Sequence, residues 1–407
     1  MPRVNITPRH SASAGAVDAL ALTSVAPNHV VTAVRDGSGN LKIIAWHVGS
    51  DGSLTRRGDA EAGGVSQVAV TDWPAGPGVV TAVRTASGTL KVIAWTVDSD
   101  GAVHRRGDAD AGVVKDVSIS SPGGFDGVVT PVVNDSGELE VIAWSLASSG
   151  SFQRLATGAG GKCSHVAVTA LSKAGGSARV AVGFRTESGD LKVIVWKVGA
   201  TVARLDEATA GAVTEVAITA RSTPNADVIT ATRGDDGDLD IIGWSVADDG
   251  TLTRGAKATG GAATGLSVTT WKPDIHTYVV VGMRAGDGNL KVIVWRNGAD
   301  LTRHGEISGV ALSDVQITRW DGGVVTAGRH SAGDLRLDSW GLQPAGIRLL
   351  RAEWPVQQPT ASNVPTVSDE VAKFLGTKKA TRARLLAYGE RLADVPPPHL
   401  EEGAGNG

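Results

Sequence analysis

The sequence has 407 residues, of which 42% are hydrophobic and 20% are charged, and its formal net charge is −3. This balance is typical of a globular protein and gives no broad basic surface, so we expect no nucleic-acid partner. The sequence contains no run of about 20 apolar residues, the length that a membrane-spanning helix needs, so we expect no insertion into a membrane. The single cysteine, Cys163, excludes a scaffold held by internal disulfides.

The chain is built from seven similar units, each marked by a tryptophan that ends an apolar run. The runs read LKIIAW, LKVIAW, LEVIAW, LKVIVW, LDIIGW, LKVIVW and LRLDSW, and they end at Trp46, Trp95, Trp144, Trp196, Trp244, Trp295 and Trp340. Two further runs precede each tryptophan and a short one follows. The runs are rich in Val, Ile and Thr and are bounded by turn residues such as Ser-Gly and Asp-Gly, which is typical of strands joined by hairpins.

Successive tryptophans are 49, 49, 52, 48, 51 and 45 residues apart. Four antiparallel strands in each of seven such units predict an all-β fold, a seven-bladed β-propeller.

Over about residues 1–355 the organisation resembles the β-propeller superfamily. The dipeptides of WD-repeat propellers and the double glycine of kelch propellers are absent. Fucose-binding propeller lectins use a recurring Arg, Glu and Trp. Here no Glu recurs, so the resemblance does not imply their sugar specificity.

The amino terminus, MPRVNITPRH, lacks the apolar core of a secretory signal peptide. We therefore expect a cytoplasmic protein, or one exported by a route without a recognisable signal peptide. Residues 6–16 (ITPRHSASAGA) match residues 54–64 (LTRRGDAEAGG), which form the fourth strand of the first unit. The match predicts that an amino-terminal strand at 4–14 latches the last blade. Residues 347–353 (IRLLRAE) are an alternative, and the sequence leaves the choice open.

Two recurring residue types allow a structural or a functional interpretation. The tryptophans either fill the space between blades or form repeated ligand platforms, and their large apolar body favours the first. Arginines recur 11 residues before the tryptophan in six units (Arg35, Arg84, Arg185, Arg233, Arg284 and Arg329), with Val133 in the third, and others end the fourth strands. They either pair with backbone carbonyls and nearby aspartates or bind anionic groups, and we favour the structural pairing.

The innermost strand shows where the seven copies differ. Its copies read VDALALT, VSQVAVT, VKDVSIS, CSHVAVT, VTEVAIT, ATGLSVT and LSDVQIT. The fourth and sixth residues are always aliphatic and face the core, so the third, fifth and seventh are expected to face the central channel. The third residue varies most: Ala19, Gln67, Asp116, His165, Glu215, Gly265 and Asp314.

These third residues form the candidate site at the channel mouth. Asp116, His165, Glu215 and Asp314 are candidates for acid–base catalysis, and together with Gln67 they are candidates for ligand binding. Such a ring would suit a cationic ligand or a divalent cation, but no metal-ligand motif and no cofactor motif is present. The alternative is a hydrated channel rim where any polar residue is tolerated.

A second candidate surface lies on the loops between strands one and two. These loops hold Trp73, Phe125, Trp271, His276, Tyr278 and Trp320. Aromatic side chains on variable loops either form a surface for a partner or fold back over the base of their own loop. The sequence leaves both interpretations open.

The repeats end after Pro355. Residues 356–367 are typical of a linker, and Ser368 resembles a helix cap that begins a helical tail at 368–394. Pro396 to Pro398 end this helical pattern, and residues 395–407 form a polar tail.

Three functions follow from these patterns. We favour a non-catalytic recognition module that binds a glycan or a protein through the channel mouth or the aromatic loop face, because no catalytic motif is present. The first alternative is an enzyme with its active site at the channel mouth. The second is a structural subunit tethered by the carboxy-terminal helices. The fold alone does not choose among them, and the oligomeric state is not predicted.

Overall fold

The structure is a computed structural model, and it describes residues 3–25, 28–74, 76–174, 177–221, 227–273, 276–298 and 300–344. The chain divides into two compact units, one of Ile6–Leu342 and one of Met1–Asn5 with Gln343–Gly407. The predicted linker, helical tail and polar tail, and the alternative closing strand at 347–353, lie outside the described residues.

Twenty-one strands follow one another along the described chain. The first seven are β1 (Val4–Val25), β2 (His29–Asp36), β3 (Asn40–Val48), β4 (Leu54–Asp72), β5 (Gly78–Thr85), β6 (Thr89–Val97) and β7 (Val103–Val117). The next seven are β8 (Gly127–Asn134), β9 (Glu138–Leu146), β10 (Phe152–Ala174), β11 (Ser177–Thr186), β12 (Asp190–Val198), β13 (Val202–Ala220) and β14 (Asp227–Gly234). The last seven are β15 (Asp238–Val246), β16 (Leu252–Trp271), β17 (Thr277–Ala285), β18 (Asn289–Asn297), β19 (Leu301–Trp320), β20 (Gly323–His330) and β21 (Asp334–Pro344). No helix in this part of the chain is long and apolar enough to cross a membrane.

Within the described residues these strands pair into seven antiparallel sheets of four strands, the blades of the propeller. Blade one consists of the second half of β1, then β2, β3 and the first half of β4. The second half of β4 is then the innermost strand of blade two. The same passage from outermost to innermost strand recurs at β7, β10, β13, β16 and β19. The predicted all-β propeller is confirmed, and the pairing gives seven blades.

The ring closes where the first half of β1 pairs with β21, as the outermost strand of blade seven. The backbone N–H of His10 donates to Ser339 Oγ at 3.1 Å, and the Ser11 hydroxyl donates to the Asp338 carboxylate. The Ser339 hydroxyl donates to the carbonyl oxygen of Gly52 in blade one at 2.6 Å. Side chains of blade seven therefore bind both the amino-terminal strand and the next blade.

The recurring tryptophans lie in the core, each no more than 4% exposed. In five blades the indole Nε1 donates to a threonine hydroxyl on strand two at 2.8–3.1 Å. Blades four and six have Val182 and Val281 at that place, and there the Nε1 atoms of Trp196 and Trp295 have no hydrogen-bond partner within the described residues. The structural interpretation of the tryptophans is confirmed, because a buried indole offers no platform to a ligand.

Candidate functional site

A β-bulge interrupts the innermost strand of every blade next to its third residue, where the sequence places the candidate ring. In blade two the register shifts between Val65 and Gln67. In blades four, six and seven the bulge is longer and contains the third residue, which is His165, Gly265 or Asp314. A bulge redirects side chains. The strand alternation that was expected to point the fifth and seventh residues into the channel therefore does not determine where the third residue points.

The Asp116 carboxylate links three blades. Its Oδ1 accepts a hydrogen bond from Gln67 Nε2 of blade two at 2.5 Å and another from the backbone N–H of Val117 at 2.9 Å. Its Oδ2 accepts from the backbone N–H of Val166 in blade four at 3.0 Å. The structure thus brings Gln67 and Asp116 into contact and uses this carboxylate to hold neighbouring blades together.

Glu215 makes the corresponding link between blades five and six. Its Oε2 accepts hydrogen bonds from the backbone N–H groups of Gly265 at 2.8 Å and Leu266 at 3.4 Å. Both donors lie in the bulge of blade six. Hydrogen bonds to an ionised acceptor are stronger than those between neutral groups, so a carboxylate at this position stabilises the junction between blades.

His165 and Asp314 are placed differently, because both are exposed and both have a left-handed backbone, with φ of 54° and 53°. Histidine and aspartate are among the residues that tolerate this conformation. His165 Nδ1 lies 3.3 Å from Ser164 Oγ, and the Ser313 hydroxyl donates to Asp314 Oδ2 at 3.4 Å. Each side chain therefore bonds to its preceding serine and leaves most of its polar surface to solvent.

In the described part of the chain, His165 does not contact the other three candidate catalytic residues. No hydrogen bond or ion pair there joins His165 to Asp116, Glu215 or Asp314. Nor do the described residues hold a group of three or more His, Cys, Asp or Glu side chains placed to bind a metal ion. At the channel mouth, the carboxylates of Asp116 and Glu215 are bound to neighbouring blades, whereas the side chains of His165 and Asp314 are exposed.

Cys163 lies beside this network but adds no reactive group. Burial raises the pKa of its thiol to about 12, and the charge of the Asp116 carboxylate acts in the same direction. A thiol with so high a pKa stays protonated at neutral pH and is a poor nucleophile.

The recurring arginines also connect blades. Nε of Arg35, Arg84 and Arg185 donates to the carbonyl oxygen of the first inner-strand residue of the next blade at 2.7–2.9 Å. On the outermost strands, Arg56 and Arg105 form ion pairs with Asp59 and Asp108. For these arginines the structural interpretation is confirmed.

Most of the loop aromatics pack against the blades, and Trp73 and Trp320 join core clusters that include residues of the neighbouring blade. Trp73, Trp271 and Tyr278 are only 4%, 6% and 2% exposed, and His276 and Trp320 are half-buried. The Tyr278 ring lies 5.5 Å from that of Trp271, between centroids. Because burying an aromatic ring removes a large apolar area from water, these loops pack inward, and Trp73, Trp271 and Tyr278 do not form an exposed surface for a partner.

A groove that the sequence analysis missed opens between blades three and four, at the end of the blades where the channel mouth lies. Its volume is about 480 Å³. Phe184, Lys192 and Thr209 of blade four lie directly opposite one another on strands two, three and four. They face residues 160–162 at the end of the outermost strand of blade three, and the hairpin of blade four (Thr186, Glu187, Ser188 and Asp190) completes the lining.

The sequence signal for this groove lies on strand two rather than on the innermost strand. The residues that correspond to Phe184 in the other blades are Val34, Val83, Val132, Thr232, Met283 and Gly328. Phe184 is thus the one aromatic residue among seven copies, and comparing strand two across the units would have identified it.

Comparison with known proteins shows the fold alone. No protein-family model and no curated protein sequence matches the chain. Among solved structures, a chain of the mitotic checkpoint complex is similar at 18% identity and a TM-score of 0.52, over 81% of this chain and 93% of that one. The periplasmic gluconolactonase of Pseudomonas aeruginosa is similar at 14% identity and a TM-score of 0.50, over 72% and 86% of the two chains. A protein from Lactobacillus plantarum is similar at 13% identity and a TM-score of 0.50, over 76% and 98%.

Proposed function

We propose that this chain is a non-catalytic recognition module that binds a glycan or a protein through the face of the propeller around the channel mouth. The observation that supports this most is the use of Asp116 and Glu215. Both carboxylates accept backbone hydrogen bonds from the next blade, so two of the four candidate catalytic groups serve the scaffold.

The same contacts make the mouth face rigid. Carboxylates and arginines at this end of the blades bond to the neighbouring blade. A surface held in one conformation loses little conformational entropy when it binds a ligand. His165 and Asp314 remain exposed on this face and are available to a partner.

The proposal is tested with the full-length chain on a glycan array and against immobilised candidate proteins. His165→Asn and Asp314→Asn change the exposed groups but keep residue types that tolerate a left-handed backbone. We expect at least one of them to weaken binding about tenfold, the equivalent of about 1.4 kcal/mol. Ser149→Ala, in an exposed hairpin at the opposite end of blade three, is the matched control. Equal binding by all three variants contradicts a site formed by His165 or Asp314.

The left-handed backbone of His165 and Asp314 favours a second candidate, an enzyme with His165 as general base. Uncommon backbone conformations cluster at active sites. Incubation with chromogenic esters, lactones and glycosides tests this candidate. Turnover by the wild-type chain that disappears in His165→Asn would replace the recognition proposal.

A further inference from the structure

We propose that the junction of blades six and seven, at the channel mouth, binds a carboxylate group of a ligand. The donors are the Arg284 guanidinium and the backbone N–H of Asp314. This inference rests on the proposed recognition function and gives it a ligand chemistry and a location. Two sources supply such a group, a uronic acid unit of a glycan and an acidic residue of a protein, and the test distinguishes them.

Three inner strands contain a bulge with the same backbone conformation. In blades four, six and seven the third residue is left-handed, with φ of 54° at His165, 58° at Gly265 and 53° at Asp314. In blades four and six, a carboxylate of the preceding blade accepts hydrogen bonds from backbone N–H groups of this bulge. These carboxylates belong to Asp116 and Glu215. In these two blades the left-handed bulge is therefore bound by an acid of the blade before it.

Blade seven has the bulge without the acid, because blade six carries Gly265 at the place of Asp116 and Glu215. A Cβ atom on Gly265 would lie 3.7 Å from the Asp314 nitrogen and 3.6 Å from the Val315 nitrogen, which is ordinary contact. The place of an acidic side chain is therefore open. Val315 is fully buried, whereas Asp314 is exposed, so we expect a ligand to reach the nitrogen of Asp314.

Two further contacts that close other junctions are absent at this one. At six junctions the N–H of the first inner-strand residue donates to the carbonyl oxygen of a hairpin glycine in the preceding blade, at 2.8–3.0 Å. Within the described residues, Leu312 of blade seven makes no such bond to Gly288 of blade six. Arg284 is exposed and, in the same part of the chain, lacks the Nε contact to the next blade that Arg35 and Arg84 make. Groups that bind within the protein elsewhere thus remain for a ligand here.

Arg284 lies where it can share a carboxylate with the Asp314 N–H. It is directly opposite Thr264, the residue before the bulge of blade six. In blade five Arg233 lies opposite Glu215, the acid that fills the corresponding place. A planar guanidinium matches the two oxygens of a carboxylate, and water screens the charge of the exposed Asp314 side chain. Blade six therefore has the arginine of blade five without its acid.

NMR titration of the full-length chain tests the proposal. Serine labelled with ¹³C at the carbonyl and aspartate labelled with ¹⁵N select the Ser–Asp pairs of the sequence, whose amides belong to Asp51, Asp100, Asp314 and Asp369. The probes are methyl glucuronide, N-acetylaspartate amide and, as the uncharged control, methyl glucoside. We expect one of the two acids to move the Asp314 amide proton downfield. The amides of Asp51 and Asp100 should stay unchanged, because they lie in hairpins at the opposite end of the blades.

Two variants remove the site. Gly265→Asp introduces the residue that blade seven has at this place, with the same backbone conformation, and its carboxylate occupies the site. Arg284→Gln removes the charged donor. We expect about tenfold weaker binding in each. Gly137→Asp, at a hairpin glycine with φ of 78° and open space around its Cβ position, is the matched control and should bind like the wild type. Circular dichroism identifies a variant that fails to fold, and Arg284→Gln then decides.

The outcomes separate this inference from the recognition proposal. If neither acid moves the Asp314 amide, or methyl glucoside moves it equally, the carboxylate site is overturned, and recognition at the mouth still depends on the His165→Asn and Asp314→Asn variants. Binding that persists in both Gly265→Asp and Arg284→Gln also overturns the site. Binding that is lost in both and kept in Gly137→Asp supports it, and the acid that binds identifies the source of the carboxylate.

Discussion

Ser11 Oγ donates a 2.6 Å hydrogen bond to Asp338 Oδ1, although 327 residues separate them in the chain. Asp338 and Ser339 belong to the run LRLDSW, where blade one has the apolar pair Ile44 and Ala45 in LKIIAW. The departure of blade seven from the repeat therefore has a structural reason. Its polar residues bind the amino-terminal strand, which no other blade contains.

Ser339→Ala is expected to lower the free energy of unfolding by about 1–3 kcal/mol. The change removes partners of the His10 N–H and the Gly52 carbonyl, and leaving buried polar groups unpaired has a cost of that order. Urea denaturation measures this loss of stability. Ser149→Ala, in an exposed hairpin, is the control and should leave the midpoint unchanged. Equal midpoints for both variants would show that Ser339 contributes nothing to closure.

Val182→Thr and Val281→Thr are expected to stabilise the protein by about 0.5–1.5 kcal/mol each. Each introduces the hydroxyl that accepts the tryptophan Nε1 hydrogen bond in five other blades, in nearly the same volume. Thermal and urea unfolding measure the gain. The reverse change, Thr81→Val in blade two, should destabilise by a similar amount. A loss of stability in both threonine variants would contradict this account.

Asp116→Ala is expected to destabilise by about 2–3 kcal/mol, because hydrogen bonds to a charged acceptor contribute more than neutral ones. His165→Asn, on the exposed surface, should change stability by no more than about 0.5 kcal/mol. Denaturant unfolding of the two variants compares them. A stable Asp116→Ala variant that loses ligand binding would return Asp116 to the functional site.

Stability is expected to fall as the pH drops from about 7.5 to about 5.5. The pKa of His47 lies below its usual 6.5, chiefly because burial disfavours the charged ring, and the charges of His29 and Arg57 lower it further. The unfolded chain therefore binds a proton at His47 more readily than the folded protein, and acid favours unfolding. The melting temperature of His47→Gln should fall less steeply over this range. Parallel curves for the two proteins would exclude His47 as a source of the dependence.

The architecture was accessible from sequence because its signals are local and repeated. A tryptophan and a Gly-containing hairpin recur in each unit of about 49 residues, and four short strands per unit leave few arrangements other than a propeller. The amino-terminal closing strand was predicted in the same way, as one of two candidates, since residues 6–16 match a fourth strand.

The candidate site was harder to predict. The alternation argument assumed an uninterrupted inner strand, whereas a bulge precedes or contains the third residue in each blade and turns Asp116 and Glu215 toward the next blade. In blades four and six, backbone N–H groups of the bulge bond to a carboxylate of the neighbouring blade, and the pattern within a single unit does not show such a contact. Phe184 was visible in the sequence, but only by comparing strand two across all units.

The long strands that pass from one blade to the next affect how the protein unfolds locally. β4 is the outermost strand of blade one and also the innermost strand of blade two, and six other strands are shared in this way. A blade that detached would pull the central strand out of its neighbour. Local unfolding of a single blade is therefore suppressed, and the amide protons of the seven inner strands should exchange with solvent together, in one cooperative event.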